Sequence, residues 1–351
     1  MLRGNSPLKP FDVVVVGGGP AGSAAAIGCA QRGLRVALIE RHDFPRFRPG
    51  ESLHPGIEPV LQQLGVAGQP CVQHALRFNG YWVQWNKPLR FIGFGSDDDG
   101  PWRGFQIPRA TLDTTLLQHA AALGVMVHQP CRALAVLSEK NRVTGVRTDS
   151  GRLRADYVID ASGASAWLHR QLGLTSHPCS PRLIARYGYV RGCPPGYQHA
   201  PHLAAGHDGW TWIANVQAQV THWTHLAFNA PGLHSPVVPQ SLRHLPTQGA
   251  IHGADVTWRI STAPAGGGYF MVGDAASQLD PASSHGVLKA LMTGIQAAQV
   301  VSDCIGQPSV QSSAQRQYRQ WLGDWFEKDM AQLRRFYRLH PDPPRWLAAD
   351  D

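Results

Sequence analysis

The sequence lacks paired cysteines, long apolar runs and blocks of like charge, and each absence removes a class of function. Its six cysteines (Cys29, Cys71, Cys131, Cys179, Cys193, Cys304) include no C-x-x-C pair, so neither a zinc site nor a redox dithiol is expected. Seventeen histidines show no H-x-H or H-E-x-x-H spacing, and no metal site is predicted. No apolar run reaches the roughly 20 residues of a membrane-spanning helix. The glycine-rich start does not read as a signal peptide, so a cytoplasmic protein with no membrane partner is expected. The formal charge is +8, yet the basic residues are dispersed and carry no nucleic-acid-binding pattern, so nucleic acid is not an expected partner. What is present is a chain of 351 residues, 43% hydrophobic and 16% charged, ordinary for a globular protein of two or three structural units.

Against that background one segment is specific. Val13 to Val16 reads as a fully buried strand that runs into Gly17-x-Gly19-x-x-Gly22, with Pro20 and Ala21 inside the turn. A small-residue helix and a second apolar run, Val36 to Ile39, follow and end in Glu40. Gly17 permits the tight turn, Gly19 lets a pyrophosphate approach the backbone, and Gly22 lets helix and strand pack closely. The helix N-terminus offers free N–H groups and partial positive charge to the phosphates. Glu40 is placed to accept hydrogen bonds from a ribose. Strand, turn, helix, strand and acid in this order indicate a dinucleotide site.

The rest of the chain alternates between two kinds of pattern. Arg41 to Leu53 is rich in Arg, Pro and Gly and reads as a loop, followed by a short helix over Ile57 to Leu64. Arg77 to Trp85 and Leu89 to Phe94 read as strands, Pro108 to Leu123 as a helix, and four further strands lie between Val125 and Asp160. A second sheet-rich region, Leu183 to Ser261, contains Gly209-Trp210-Thr211-Trp212-Ile213 and His222-Trp223-Thr224-His225-Leu226-Ala227. Tyr269 to Val272 is a buried strand ending in Gly273-Asp274, and helices are predicted from about Gly286 to Cys304 and from Gln315 to Arg338.

Four of these pieces in fixed order resemble the flavin-dependent monooxygenase and halogenase superfamily. They are Gly17 to Gly22 with Glu40; Pro45-Arg46-Phe47-Arg48-Pro49-Gly50-Glu51-Ser52-Leu53; the helix opening at Pro108-Arg109; and Gly273-Asp274 followed by Asp280-Pro281 and Ser284-His285-Gly286. The resemblance implies an α/β fold. A glutathione-reductase-like FAD-binding Rossmann domain (1–76, 104–166, 262–310) would carry a mixed β-sheet substrate domain (77–103, 167–261) and a C-terminal helical extension (311–351). It implies FAD as cofactor, with Glu40 on the ribose, Arg109 along the FAD and Asp274 on the ribityl chain. The remaining implied FAD shell comprises Gly17, Gly19, Pro20, Ala21, Gly22, Arg41, Arg48, Glu51, Ser52, Gly273, Pro281, Gly286 and Val287. The helix beginning near Gly286 would aim its N-terminus at the flavin pyrimidine edge, where reduction leaves negative charge. Ser284 and His285 would be flavin neighbours, and His285 could serve as an acid or base or only position the ring.

Within the superfamily the segment from Gly253 to Met292 is similar to the flavoproteins that mature tryptophylquinone-cofactor enzymes such as lysine and glycine oxidases. That similarity implies hydroxylation of an aromatic side chain, tryptophan, in a precursor protein or peptide. Molecular oxygen would be the co-substrate, acting through a flavin C4a-hydroperoxide. Halogenases are neighbours from which this sequence departs three times. Arg77 stands at the position of the halogenase lysine, Ser283 at that of the acid, and Ala214-Asn215 replace Ile-Pro after Trp210 and Trp212. Arginine stays protonated and is a poor haloamine former. Arg77, Ser284 and His285 are the candidate catalytic residues, and Trp82, Trp210 and Trp212 the candidate substrate wall, with core packing as the alternative for each tryptophan. Other readings are a halogenase-like enzyme, a prenyl-chain reductase and a non-catalytic escort of a precursor protein. Gly266-Gly267-Gly268 precedes a strand rather than following one, so no second dinucleotide turn is evident. NAD(P)H would therefore supply electrons at the flavin face directly or through a separate flavin reductase.

Overall fold

A computed structural model describes residues 11–228 and 238–350, the last three by backbone only. The parts of the expected domain ranges that fall on 1–10, 229–237 and 351 lie outside the described residues. Two large sheets organise the chain. In the first, Phe11–Val16 lies between Val36–Ile39 and Gly151–Asp160, all parallel, with Met126–His128 beyond one side and Tyr269–Met271 beyond the other. Val13 to Val16 and Val36 to Ile39 are buried throughout, as parallel strands covered on both faces must be.

Gly151–Asp160 does two jobs along its length. Its first half pairs antiparallel with Arg142–Thr148, while its second half, Tyr157 to Asp160, enters the buried parallel layer. Helix Pro20–Gln31 packs on that layer, and helix Gly286–Gly306 lies beside it through small residues. A Cβ on Gly28 would approach Ala298 Cβ to 2.9 Å, and one on Gly294 would reach 2.3 Å from Ala21 O.

The second sheet has seven strands in the order Thr247–Asp255, Ile184–Arg191, Val220–Ala227, Gly209–Gln217, His202–Ala205, Gly80–Gln84, Arg90–Gly93. Only the His202–Ala205 and Gly80–Gln84 pair is parallel. The expected strand Arg77 to Trp85 is in fact two. Leu76–Phe78 joins a small sheet with Gly104–Gln106, and Gly80–Gln84 joins the seven-stranded sheet. The change of sheet at Asn79 rotates Arg77 away from the residues that follow.

The C-terminal helix, Gln311–Arg338, spans both layers. Its buried stripe is Tyr318, Leu322, Phe326, Asp329, Leu333 and Tyr337, so Trp321 and Trp325 flank the stripe rather than forming it. Burying Leu322, Phe326 and Leu333 contributes about 1.5–3 kcal/mol each before entropic costs. Near its start Tyr318 donates to Met271 O of the parallel sheet (2.7 Å), and near its end Trp85 stacks on Phe336 with centroids 4.1 Å apart. Among the described residues no helix is long and apolar enough to cross a membrane.

At the junction of sheet, helix and loop lies a fully buried chain of hydrogen bonds. Trp210 Nε1 donates to Tyr337 Oη (2.7 Å), Tyr337 donates to Asp280 Oδ2 (2.8 Å), and Trp258 Nε1 donates to the same oxygen (2.7 Å). Burial pushes the Asp280 carboxyl up to about 6 from 3.8, against the opposing pull of Tyr337, Trp258 and the Ala282 N–H. A carboxyl whose pKa is raised on folding binds its proton more tightly in the folded state. Stability associated with it is therefore complete at low pH and declines as pH rises through the interval between the two values. The unfolding free energy is expected to fall between about pH 4 and pH 6. Urea titrations across that range should show this segment flattened in Asp280→Asn, and an unchanged slope would mean the carboxyl is not the titrating group.

Candidate active site

A single cavity of about 1320 Å³ runs from the Gly17 turn to the seven-stranded sheet. It exceeds the roughly 300–1,000 Å³ of a small-ligand pocket, enough for a large cofactor and a second molecule beside it. At one end Gly17 has φ +109°, and a Cβ there would meet Ala161 O at 2.4 Å; a Cβ on Gly22 would lie 1.8 Å from Gly17 O. Gly19 differs, because its nearest contact would be the Arg46 side chain at 3.3 Å. Gly17 and Gly22 are needed for packing, whereas Gly19 leaves space in front of the helix. That helix has no side-chain cap at its N-terminus, so its leading N–H groups remain available to an anion.

Glu40 is buried and shaped by the backbone, accepting from Gly18 N (2.8 Å) and His42 N (2.9 Å). Beside it Arg46 reaches within 3.9 Å of Glu40 and 3.5 Å of Asp113, and its buried Nε has no hydrogen-bond partner. Arg46 also lines the cavity, and a guanidinium there fits a phosphate oxygen. Sequence reasoning singled out Arg41 and Arg48 but missed Arg46, which sits between them in the same arginine-rich loop. Arg109 grips Asp113 with two bonds of 2.8 and 3.0 Å and donates to Pro49 O (3.0 Å), tying this loop to its helix.

The far wall comes from the chain's last quarter. Gly273 has φ +58°, and a Cβ on it would approach Ala21 Cβ to 3.0 Å. This brings the exposed carboxylate of Asp274 to the cavity. Pro281, Ser284, His285, Gly286 and Val287 also line it, with Ser284 in the left-handed region (φ 58°). Helix Gly286–Gly306 likewise starts without a side-chain cap. His285 Nδ1 lies 3.7 Å from Asp329 Oδ2 of the C-terminal helix, and its ring meets His54 edge-on at 5.5 Å.

The structure thus gathers Gly17, Gly19, Pro20, Ala21, Glu40, Arg41, Arg48, Glu51, Ser52, Arg109, Gly273 and Asp274 around one space with Trp210 and Trp212. Three expected residues fall elsewhere. Gly22 lies behind the turn. Trp82 faces the opposite side of its strand, against Phe91 (5.4 Å) and His202 (6.2 Å), while its neighbour Tyr81 faces the cavity. Arg77 lies outside the cavity wall, 3.2 Å from Glu58 and 3.7 Å above the Phe105 ring. Its placement at a catalytic position is corrected by the change of sheet at Asn79. Glu51 lines the cavity, but its oxygens accept from Gly50 N (2.8 Å) and from Tyr189 Oη, so it faces the seven-stranded sheet. His222 and Thr224, unmarked in the sequence as site residues, complete that side.

Residues 10–188 match the FAD binding domain family. The chain belongs to this family. The flavoprotein is 27% identical to a 1H-pyrrole-2-carbonyl-(peptidyl-carrier protein) brominase of Pseudoalteromonas luteoviolacea, over 96% of this chain and 87% of that one. It is 25% identical to a tryptophan 2-halogenase of Chondromyces crocatus, over 93% and 68%. It is 28% identical to a menaquinone reductase of Mycolicibacterium smegmatis, over 83% and 76%. Its structure is similar to the myxobacterial chondrochloren halogenase CndH, with TM-score 0.83 and 26% identity over 95% of this chain and 84% of that one. A geranylgeranyl bacteriochlorophyll reductase-like protein of Thermoplasma acidophilum shares the fold at TM-score 0.79 and 23% identity, over 96% and 89%. The flavoprotein is therefore an FAD-dependent oxidoreductase of halogenase-like fold, and FAD is its cofactor.

The glycines separate folding from cofactor binding. Gly19→Val is expected to fold yet bind FAD at least about 100-fold more weakly, near 2.7 kcal/mol, because its side chain fills the space before the helix. Asp274→Ala should lose about tenfold or more, near 1.4 kcal/mol. Flavin fluorescence titration of the two purified variants measures both, and full occupancy in either would displace the site.

Proposed function

We propose that this flavoprotein is an FAD-dependent monooxygenase that hydroxylates an electron-rich aromatic side chain, a tryptophan carried by a precursor protein or peptide, during quinone-cofactor maturation. Bound and reduced, FAD supplies the oxygen-activating chemistry. The observation that carries the reading is the wall opposite the cofactor motifs: Tyr81, Trp212 and Tyr187 with the polar His222 and Thr224, Trp210 packed fully buried behind them, and no lysine among the described residues. Flat aromatic faces suit an indole ring by offset or edge-to-face contact. Apolar Ile92, Phe94, Leu203, Leu333 and Leu339 share the lining, so it is the polar His222 and Thr224 beside the rings that set this wall apart from a purely aliphatic prenyl tunnel. Arg46 and Arg109 would hold the anionic part of the cofactor, Asp274 its polyol, and the helix at Gly286 the negative charge of its reduced ring. His285, backed by Asp329, would deliver or hold a proton at that edge. Electrons would come from NAD(P)H directly or through a separate flavin reductase.

A second reading, halogenation, is favoured by the similarity to the brominase and the tryptophan 2-halogenase among the relatives. The brominase's name also shows a relative acting on an acceptor held by a carrier protein, which supports a protein-borne substrate here. Against halogenation stands the absence of a lysine from the cavity wall among the described residues.

One experiment separates the two. Reduced, FAD-loaded protein is exposed to ¹⁸O₂ and bromide with tryptophan-containing peptides, and the peptides are weighed by mass spectrometry. Gain of one labelled oxygen is the expected result; a bromine isotope pattern would replace the proposal with the halogenase reading. Unchanged peptide with reoxidised flavin would favour the reductase or escort. Arg77→Lys, lying outside the cavity, should give no halogenated product.

A further inference from the structure

Glu51 and His222 come from different layers of the molecule and meet at the cavity. Glu51 follows the arginine-rich loop that tops the cofactor region; His222 lies on Val220–Ala227 of the seven-stranded sheet. His222 Nδ1 stands 3.9 Å from Glu51 Oε2, and both side chains are more than nine-tenths buried. Tyr189, the direct register partner of His222 on the neighbouring strand, donates its hydroxyl to the other oxygen of Glu51. The Tyr189 and His222 rings lie 4.9 Å apart. On its other edge His222 Nε2 is 3.3 Å from Thr224 Oγ1, and both residues line the cavity.

A buried carboxylate is costly unless it is paired. Here Gly50 N and Tyr189 hold Glu51 in place, while Arg109 supplies nearby positive charge. The imidazole therefore has a fixed carboxylate 3.9 Å behind Nδ1, a charge contact rather than a hydrogen bond, and Thr224 beside Nε2 at the cavity wall, a looser form of a base backed by a third group.

We propose that His222, oriented by Glu51, accepts the N–H or O–H proton of the aromatic acceptor, so that the substrate class is an indole, pyrrole or phenol rather than an arene without such a group. This rests on the aromatic-acceptor reading above. The atom transferred is one oxygen of dioxygen; the reduced flavin supplies two electrons and two protons, and the other oxygen leaves as water. As the ring gives an electron pair to the transferred oxygen, its N–H or O–H bond becomes acidic. That bond breaks, its electrons stay on the ring, and the proton forms an N–H bond on the imidazole. The new positive charge is compensated by Glu51, and His222 exchanges no electrons.

The ionisation of His222 supports this role. Burial holds its pKa below the ordinary value, opposed by the Glu51 charge, so the ring is neutral and able to accept a proton at neutral pH. The groups that face it are Glu51 and, through it, Arg109 from the cofactor side; Tyr187 and Tyr189 from the adjacent strand; and His252, stacked on Tyr187 at 5.6 Å, from the edge strand.

The test uses the FAD-loaded protein and 4-nitrophenol, whose phenolate is read by difference absorbance. Bound to wild type, the phenol should ionise about one pH unit or more below its value in free solution, roughly tenfold in equilibrium constant. In His222→Gln the shift should vanish while the probe still binds. Glu51→Gln, which keeps shape and a bond to Tyr189, should show a smaller shift, and it serves as the second test if His222→Gln does not fold. In peptide turnover the acidic limb of the kcat profile should disappear in His222→Gln and move to lower pH in Glu51→Gln. Equal shifts in wild type and both variants would overturn the role of His222. No binding of 4-nitrophenol to wild type would instead overturn the aromatic-acceptor reading, and with it this proposal.

Discussion

The site exists because two helices separated by most of the chain are allowed to lie nearly backbone to backbone. Helix Pro20–Gln31 and helix Gly286–Gly306 meet at Gly28 and Gly294, where any side chain would run into Ala298 or into the Ala21 carbonyl. Gly273 N donates to Thr293 Oγ1 (2.9 Å), which itself donates to Lys289 O and Ala290 O, so the Gly273-Asp274 turn is fastened to the second helix. The consequence is geometric. Both helices start without a side-chain cap at the same cavity, so their positive ends would address FAD from two directions.

Alternation along strands then decides what faces the cofactor. In the seven-stranded sheet Trp212 pairs with Thr224 and Ala214 with His222, so these residues share the cavity face. Ile213 pairs with Trp223 on the other face, where Gly188 leaves room for the indole; a Cβ there would lie 3.1 Å from the Trp223 ring. One residue of slip would exchange the polar and aromatic wall for Trp82, Trp223 and His225. Turn geometry and core packing therefore decide which side chains face the cavity.

This explains what was legible in the sequence. The cofactor motifs were readable because each depends on local backbone requirements: Gly17 at positive φ, Gly22 against its own strand, Glu40 at a strand end. The boundaries of the helices beginning at Arg109 and Gly286 followed from the same local signals. The cavity face of the seven-stranded sheet was less readable, because a period of two identifies two faces without saying which is turned toward the cavity. Trp82 and Tyr81 are adjacent, and only the pairing of Gly80–Gln84 with His202–Ala205 assigns Tyr81 to the cavity. Arg77 was misplaced because a single residue, Asn79, hands the chain from one sheet to another. Tyr337 and His222 carried no motif; their partners, Asp280 and Glu51, are 57 and 171 positions away.

The same long-range bonds give the cavity its rigidity. Asp280 begins the Pro281 turn beside the Gly273-Asp274 motif, Trp210 belongs to the seven-stranded sheet, and Tyr337 to the C-terminal helix. A shift of any one of them would strand a buried donor or the carboxylate itself, at a cost of about 1–3 kcal/mol per group. Because the helix is also anchored at Tyr318 on the parallel sheet, the two layers cannot slide without breaking bonds at both of its ends. A reaction between two bound molecules depends on their separation and angle, and small displacements are costly in rate. The C-terminal helix is thus a brace that sets the distance between the cofactor side and the aromatic wall, and Asp329 places one carboxylate of that brace against His285.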